Sequence, residues 1–313
     1  MHKMWLGLLS LILFIGCDTS PDFARETPDD GSQTIDPADF VNVGNQNGLP
    51  DFTAVGGINR TEAPAGWQLE WSEEFETGLD LWSSWEGGAF NNELQLYQME
   101  NIATRAGVLY LRSKREAATG DVTPFDNTQR SFNFTSGRLT TNRTFGPQAF
   151  ANGVVRFAAR VKLPAGEGLW PAFWSFGDPW PTQGEIDILE FRGNATDQYV
   201  TNIFYGDTAG TPLTNSATLT SNNMIGEDIT TEWHIFELIW SQNELEMLFD
   251  GSTVKTYTDA DSQYIDDMFD KQQNIILNLA IGGDFFNGQN LDENNIPNEA
   301  FYGIDWVRVY TQQ

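Results

Sequence analysis

The chain has 313 residues and a formal net charge of -27 at pH 7, from 17 Lys and Arg against 44 Asp and Glu. So acidic a surface argues against nucleic acid and against anionic polysaccharide held over any broad area. Hydrophobic residues at 40% suit a packed core, while 13% aromatic with 11 Trp exceeds what that core requires, so some rings are expected to face a ligand.

At the start, His2 and Lys3 precede an apolar run from Met4 to Ile15. This is too short to span a bilayer and has the form of a signal-peptide core. The ending Leu13-Phe14-Ile15-Gly16-Cys17 resembles a bacterial lipobox. It predicts a signal peptide over residues 1–16, lipidation of Cys17, and an exported bacterial lipoprotein held at the outer membrane or cell surface by several acyl chains. Cys17 is the one cysteine, so no intramolecular disulfide can form. Residues 17–64 are rich in Asp, Pro, Gly, Asn and Thr without periodicity, and predict a flexible acidic linker.

From residue 65 to 313 a single, monomeric domain is expected. Trp67–Trp71 alternates apolar with polar residues, and Val108–Arg112, Val155–Leu163, His234–Trp240, Leu245–Phe249, Ile275–Ile281 and Ile304–Tyr310 behave similarly. In Val155–Leu163 the apolar side chains take one face, and Arg156, Arg160 and Lys162 the other. Asp250-Gly251 predicts a tight hairpin turn. Asp259–Lys271 is the sole helical candidate. Short strands with Gly- and Asn-rich connections predict an all-β fold of two packed antiparallel sheets.

The chemistry is concentrated in Gly184-Glu185-Ile186-Asp187-Ile188-Leu189-Glu190-Phe191. In a regular strand Glu185 and Asp187 share a face, and Glu190 falls on the other. One extra residue at Ile188-Leu189, a β-bulge, restores the parity and lines up three carboxylates. Crowded acids repel one another, and a purely structural strand gains nothing from them. Two carboxyl groups about 5–5.5 Å apart are, however, what hydrolysis of a glycosidic bond with retention requires. One attacks the anomeric carbon, and the other stays protonated under the charge of its neighbour. Asp187 would orient the nucleophile.

Together with Gly168-Leu169-Trp170-Pro171-Ala172-Phe173-Trp174, this segment resembles the signature region of glycoside hydrolase family 16, in its laminarinase-like endo-β-1,3-glucanase branch. Trp71–Phe75, Asn91–Gln95, Ser136–Leu139 and Asp305–Tyr310 extend the likeness along most of the domain. The resemblance implies a β-jelly-roll sandwich with a concave substrate cleft. It makes Glu185 the nucleophile, Asp187 its helper and Glu190 the acid/base, with no cofactor required for catalysis. It places Asn91, Arg138, Trp170 and Trp174 on sugar. It also implies a structural calcium ion at Glu74, Gly107 and Asp305, away from the catalytic residues. Phe204 stands where such enzymes commonly carry a His, which bears on substrate choice rather than on catalysis. His234 is expected to be structural. The expected partner is a β-glucan. Mixed-linkage glucan, a marine galactan, transglycosylation, or a glycan-binding lipoprotein without activity are the rival readings.

Overall fold

The structure is a computed structural model that describes residues 40–213, 219–261, 264–289 and 291–313. The expected signal peptide and Cys17 lie outside these residues. The strands are β1 Trp67–Glu73, β2 Trp82–Ser84, β3 Gln95–Tyr97, β4 Ile102–Arg105, β5 Val108–Thr123, β6 Asp126–Ser136, β7 Arg138–Phe145 and β8 Val155–Lys162. They continue as β9 Leu169–Phe176, β10 Glu185–Glu190, β11 Gln198–Phe204, β12 Ser221–Met224, β13 His234–Trp240, β14 Glu244–Phe249, β15 Ser252–Thr258, β16 Gln273–Ile281 and β17 Glu299–Gln312. The helical candidate is realised as one turn, α1, over Tyr264–Asp267.

Two sheets form a jelly-roll sandwich. The seven-stranded sheet runs β12-β11-β10-β9-β16-β7-β2, and the ten-stranded one runs β15-β14-β13-β8-β17-β5-β6-β3, with β1 on β17 and β4 on β5. Pairing is antiparallel except between β3 and β6. Period-2 alternation builds the core, because alternate residues of facing strands meet between the sheets. Phe157, Val161, Leu238, Ile304 and Val307 from one sheet pack with Phe173, Ile186, Ile203, Leu277 and Leu279 from the other. Asp250 and Gly251 turn the β14–β15 hairpin, both with positive φ. Asp250 also accepts the Ile235 N–H at 2.7 Å and contacts His234 Nδ1 at 2.8 Å. His234 thus holds a turn of the ten-stranded sheet, a structural role.

The expectation of a flexible linker reaching residue 64 is corrected. Residues 40–60 lie along the outer face of the ten-stranded sheet. Val43 bridges Thr104, and Gly57 bridges Trp233 so closely that a Cβ would meet the Trp233 carbonyl at 2.3 Å. Phe52 stacks on Tyr110 at 5.4 Å. Arg60 reaches the fully buried Glu237 at 2.5 and 2.9 Å, where Arg156 also bonds it. The physical reason is satisfaction of polar groups: Arg105, Arg160 and Arg308 donate to the carbonyls of Pro50, Ile58 and Arg60. The polar face of β8 is therefore covered, and Arg156 and Arg160 are buried.

Candidate active site

The bulge is where the acid spacing requires it. Against β11, Asp187 pairs with Asn202 and Glu190 with Val200; against β9, Asp187 pairs with Trp174 and Leu189 with Phe173. β10 therefore spends one residue more than its neighbours between Asp187 and Glu190. Ile186, Ile188 and Leu189 all enter the core, so both bulge residues are buried. Glu185, Asp187 and Glu190 share the outer face of the seven-stranded sheet, the cleft face.

Each glutamate has its own indole donor. Trp180 Nε1 donates to Glu185 at 2.6 Å, and Trp170 Nε1 to Glu190 at 3.2 Å. Burial pushes the Glu185 carboxyl up to about 7, opposed by the Trp180 bond and the Arg138 charge. Burial and then the charge of Glu185 push Glu190 higher, to about 8, against Arg192 and the Trp170 bond. Asp187 is raised well above the carboxylate range by burial and by both glutamates. Burial and mutual repulsion thus favour the protonated forms of all three.

Aromatic rings surround the acids. On β9, Leu169 and Phe173 face the core while Trp170 and Trp174 face the cleft. Trp170 stacks on Phe285 at 4.5 Å. The Arg138 guanidinium sits between Trp85 at 4.2 Å and Trp174 at 4.9 Å. It is buried, its Nε has no protein partner, and burial lowers its pKa. Phe204 pairs with Glu185 across β10–β11, its ring 6.3 Å from Trp180. Asn91 adopts a left-handed φ of 59° and is exposed; its carbonyl accepts the Asp284 N–H at 2.7 Å. Asn91 is thus at the loop above the site, without a side-chain bond to the acids.

A second layer of polar groups orients the first. Trp174 Nε1 donates to Asn278 at 2.7 Å, Asn278 Nδ2 to the Tyr97 hydroxyl at 3.1 Å, and Tyr97 OH to Glu93 at 3.2 Å. Gln95 Nε2 also donates to Glu93 at 2.6 Å. Burial pushes the Glu93 carboxyl up to about 7.

Residues 97–308 match the model of the glycosyl hydrolases family 16. The chain belongs to this family. It is 32% identical over 270 residues to a glucan endo-1,3-beta-glucosidase of Cryptopygus antarcticus, covering 80% of this chain and 94% of that protein. Identity to a beta-glucanase of Rhodothermus marinus is 29% over 278 residues, 81% of this chain and 88% of the relative. The X-ray structure of an endo-beta-1,3-glucanase from Pyrococcus furiosus superposes with a TM-score of 0.65 at 30% identity, over 79% of this chain and 95% of that one.

Family 16 membership makes the chain a glycoside hydrolase of a retaining family that needs no cofactor for catalysis. The implied calcium site is brought together only in part. Glu74 adjoins Gly107, and burial together with the Glu74 charge raises the Asp305 pKa, against Arg160. Glu74, however, is bonded by Arg308 at 2.8 and 2.9 Å, and Asp305 by Arg160 at 2.8 Å. Among the described residues no three metal-ligating side chains converge. Both carboxylates are thus engaged by arginine.

Glu93, Tyr97, Asn278 and Trp85 are not picked out as site residues by the sequence, and Trp180 only as one of the tryptophans before the acid strand. Glu93, Gln95 and Tyr97 carry a signal in their period of two, which sets them on one face of an extended segment. Trp180 lies in the irregular loop before β10, where no periodicity points to it.

Proposed function

We propose that this chain hydrolyses β-1,3-glucan at internal linkages by double displacement, with Glu185 as nucleophile, Glu190 as acid/base and Asp187 as positioning residue. The observation that carries this reading is the bulged β10, with its two indole-bonded glutamates on the cleft face. Glu190 gives its proton to the leaving glycosidic oxygen while Glu185 attacks the anomeric carbon. Forming the glycosyl ester removes the Glu185 charge, so the proton affinity of Glu190 falls. Glu190 then takes a proton from water as that water displaces the ester. Trp170, Trp174 and Arg138 supply ring faces and a cation for sugar rings and hydroxyls. Phe204 replaces a polar group beside Glu185 with an apolar ring, and bears on which glucan is preferred.

The relatives support the substrate class: one of those compared is a glucan endo-1,3-beta-glucosidase and one an endo-beta-1,3-glucanase. The test is incubation with laminarin, curdlan, mixed-linkage glucan and agarose, with products separated by size. Short β-1,3-linked oligosaccharides from laminarin are expected. Glu190→Gln should lower kcat by roughly 10²- to 10⁴-fold, the range for losing a general acid, and Glu185→Ala should leave less still. Binding without cleavage of any polymer would refute the hydrolase reading. Cleavage of mixed-linkage glucan or agarose alone would keep the mechanism and change the substrate.

The lipobox-like ending at Cys17 supports export of a monomeric enzyme as a lipoprotein, anchored after loss of residues 1–16. In a bacterial host, Cys17→Ala should move the activity from the membrane fraction to the soluble one.

A further inference from the structure

We propose that Phe125, Phe90 and Trp85 form a distal sugar platform that extends the cleft across the edge strand β2 and engages long glucan chains. The proposal rests on the β-glucanase reading of the same cleft.

The site residues lie in a row across the strands. From the acids on β10 the row passes Trp174 on β9, Asn278 on β16 and Arg138 on β7, which pairs with β2. Neighbouring strands are about 4.8 Å apart, so four strand steps carry the row about 19 Å from the acids. That distance accommodates several sugar rings. Trp85 immediately follows β2, and Arg138 lies 4.2 Å from its ring while also covering Trp174. The aromatic surface is therefore continuous from Trp174 through the guanidinium to Trp85. Beyond Trp85 stand Phe125, with ring centroids 5.8 Å apart, and Phe90, at 6.4 Å.

These two rings serve no core. Phe125 is 79% exposed and Phe90 55% exposed. Single exposed rings are ordinary, but a contiguous exposed group beside a cleft marks a binding surface. Phe125 sits at the tip of the β5–β6 hairpin, whose closing residues Thr123 and Asp126 leave Pro124 and Phe125 as a two-residue loop. Hairpin tips favour Asn, Asp and Gly, which take the positive φ of tight turns, and a Phe there buries nothing.

The tip is also held in place. Gly88 N–H donates to the Asp121 carbonyl at 2.8 Å. A Cβ at Gly88 would meet the Val122 carbonyl at 2.3 Å, so only glycine allows this approach. The hairpin is thereby fixed to the loop that carries Trp85 and Phe90. A platform ordered before binding loses little freedom when a chain settles on it. Flat apolar rings match the CH faces of glucose, and the position beyond the cleft selects chain length rather than linkage at the cut.

The experiment compares kcat/KM for laminari-oligosaccharides of increasing length and for polymeric laminarin, using the full-length chain and its Phe125→Ala variant. The exposed ring can be removed without disturbing the core. The ratio of polymer to trisaccharide kcat/KM should fall by about 3- to 10-fold, the range for one aromatic contact. The loss should appear in KM, and Phe125→Trp should restore the ratio. Equal loss at every chain length, or no change at any, would overturn the platform while leaving the hydrolase reading intact. If the unaltered chain cuts no β-glucan, the underlying reading fails, and the platform with it.

Discussion

The two indole bonds act on different partners, so removing them should move different limbs of the pH profile. Trp180 favours the charged form of Glu185, and Trp170 that of Glu190. Losing either donor raises the proton affinity of its glutamate. Trp180→Phe should shift the acid limb of kcat/KM to higher pH, because Glu185 then ionises later. It should also lower kcat roughly tenfold, the worth of one charge-assisted bond of about 1.5 kcal/mol. Trp170→Phe should instead shift the alkaline limb upward, because Glu190 holds its proton longer. A profile in which both variants move the same limb would contradict the assigned roles. The same shifts have a stability sign. A carboxyl whose folded pKa is raised destabilises the fold as pH rises from the ordinary value towards the raised one, here from 4.5 towards about 8 for Glu190. Glu190→Gln removes that penalty. Its stability should match that of the unaltered chain near pH 4 and exceed it above pH 8 by an amount on the order of 1–3 kcal/mol, with a higher melting temperature there. Calorimetry at both pH values checks this.

At the scale of elements, β10 shows why the extra residue is tolerated. Between Asp187 and Glu190, the partners on β9 and β11 are those a regular strand would offer to a residue two positions on. Deleting Leu189 should therefore keep the glutamate opposite Ala172 and Val200, on the cleft face. The cost is a buried leucine, about 2–5 kcal/mol, but activity should stay well above that of Glu190→Ala at low temperature. Inserting one Ala before Glu190 also makes the count even, but it carries the glutamate two positions further along the strand, roughly 7 Å from its present place. It should abolish activity as fully as Glu190→Ala, because the glutamate then lies too far along the strand to serve the bond that Glu185 attacks. This parity is also why the strand was legible in the sequence: three acids are useful together only if the count is corrected by one. The alternation in β8, β13 and β17 was readable for the same reason, since one face meets the core; in β1 it fails, because a bulge between Leu69 and Trp71 leaves Leu69 exposed and sends Trp67 and Trp71 to different clusters. The relay from Trp174 to Glu93 was not, because Asn278 and Tyr97 are 181 residues apart and only the sheet order joins them. Nor was the platform, since Phe125 and Trp85 belong to different connections with no shared period.

For the whole molecule, the decisive segment is the one that composition describes least well. Residues 40–60 carry the Pro, Gly and Asn content of a linker, yet arginines and aromatics from the domain hold them in place. Phe52 fills the space against Tyr110, Trp233 and Gly303, and Arg60 is one of two cations on the buried Glu237. A chain beginning at Thr61 would expose that aromatic patch and leave Glu237 with Arg156 alone. Removing one partner from a buried ion pair leaves charge uncompensated, at about 3–5 kcal/mol when no other partner remains. With Arg156 still bonded the cost of Arg60→Ala should be less, about 1–3 kcal/mol. The chain from residue 61 should lose more than the point variant, since it also loses the Phe52 packing and the carbonyl acceptors of Arg105 and Arg160. Urea unfolding should rank the chain from 36 as the most stable, its Arg60→Ala variant next, and the chain from 61 as the least stable. The truncation should leave kcat close to unchanged at low temperature, because none of its contacts reaches the cleft face. Equal unfolding midpoints for the two chain lengths would mean that the segment rests on the sheet without stabilising it.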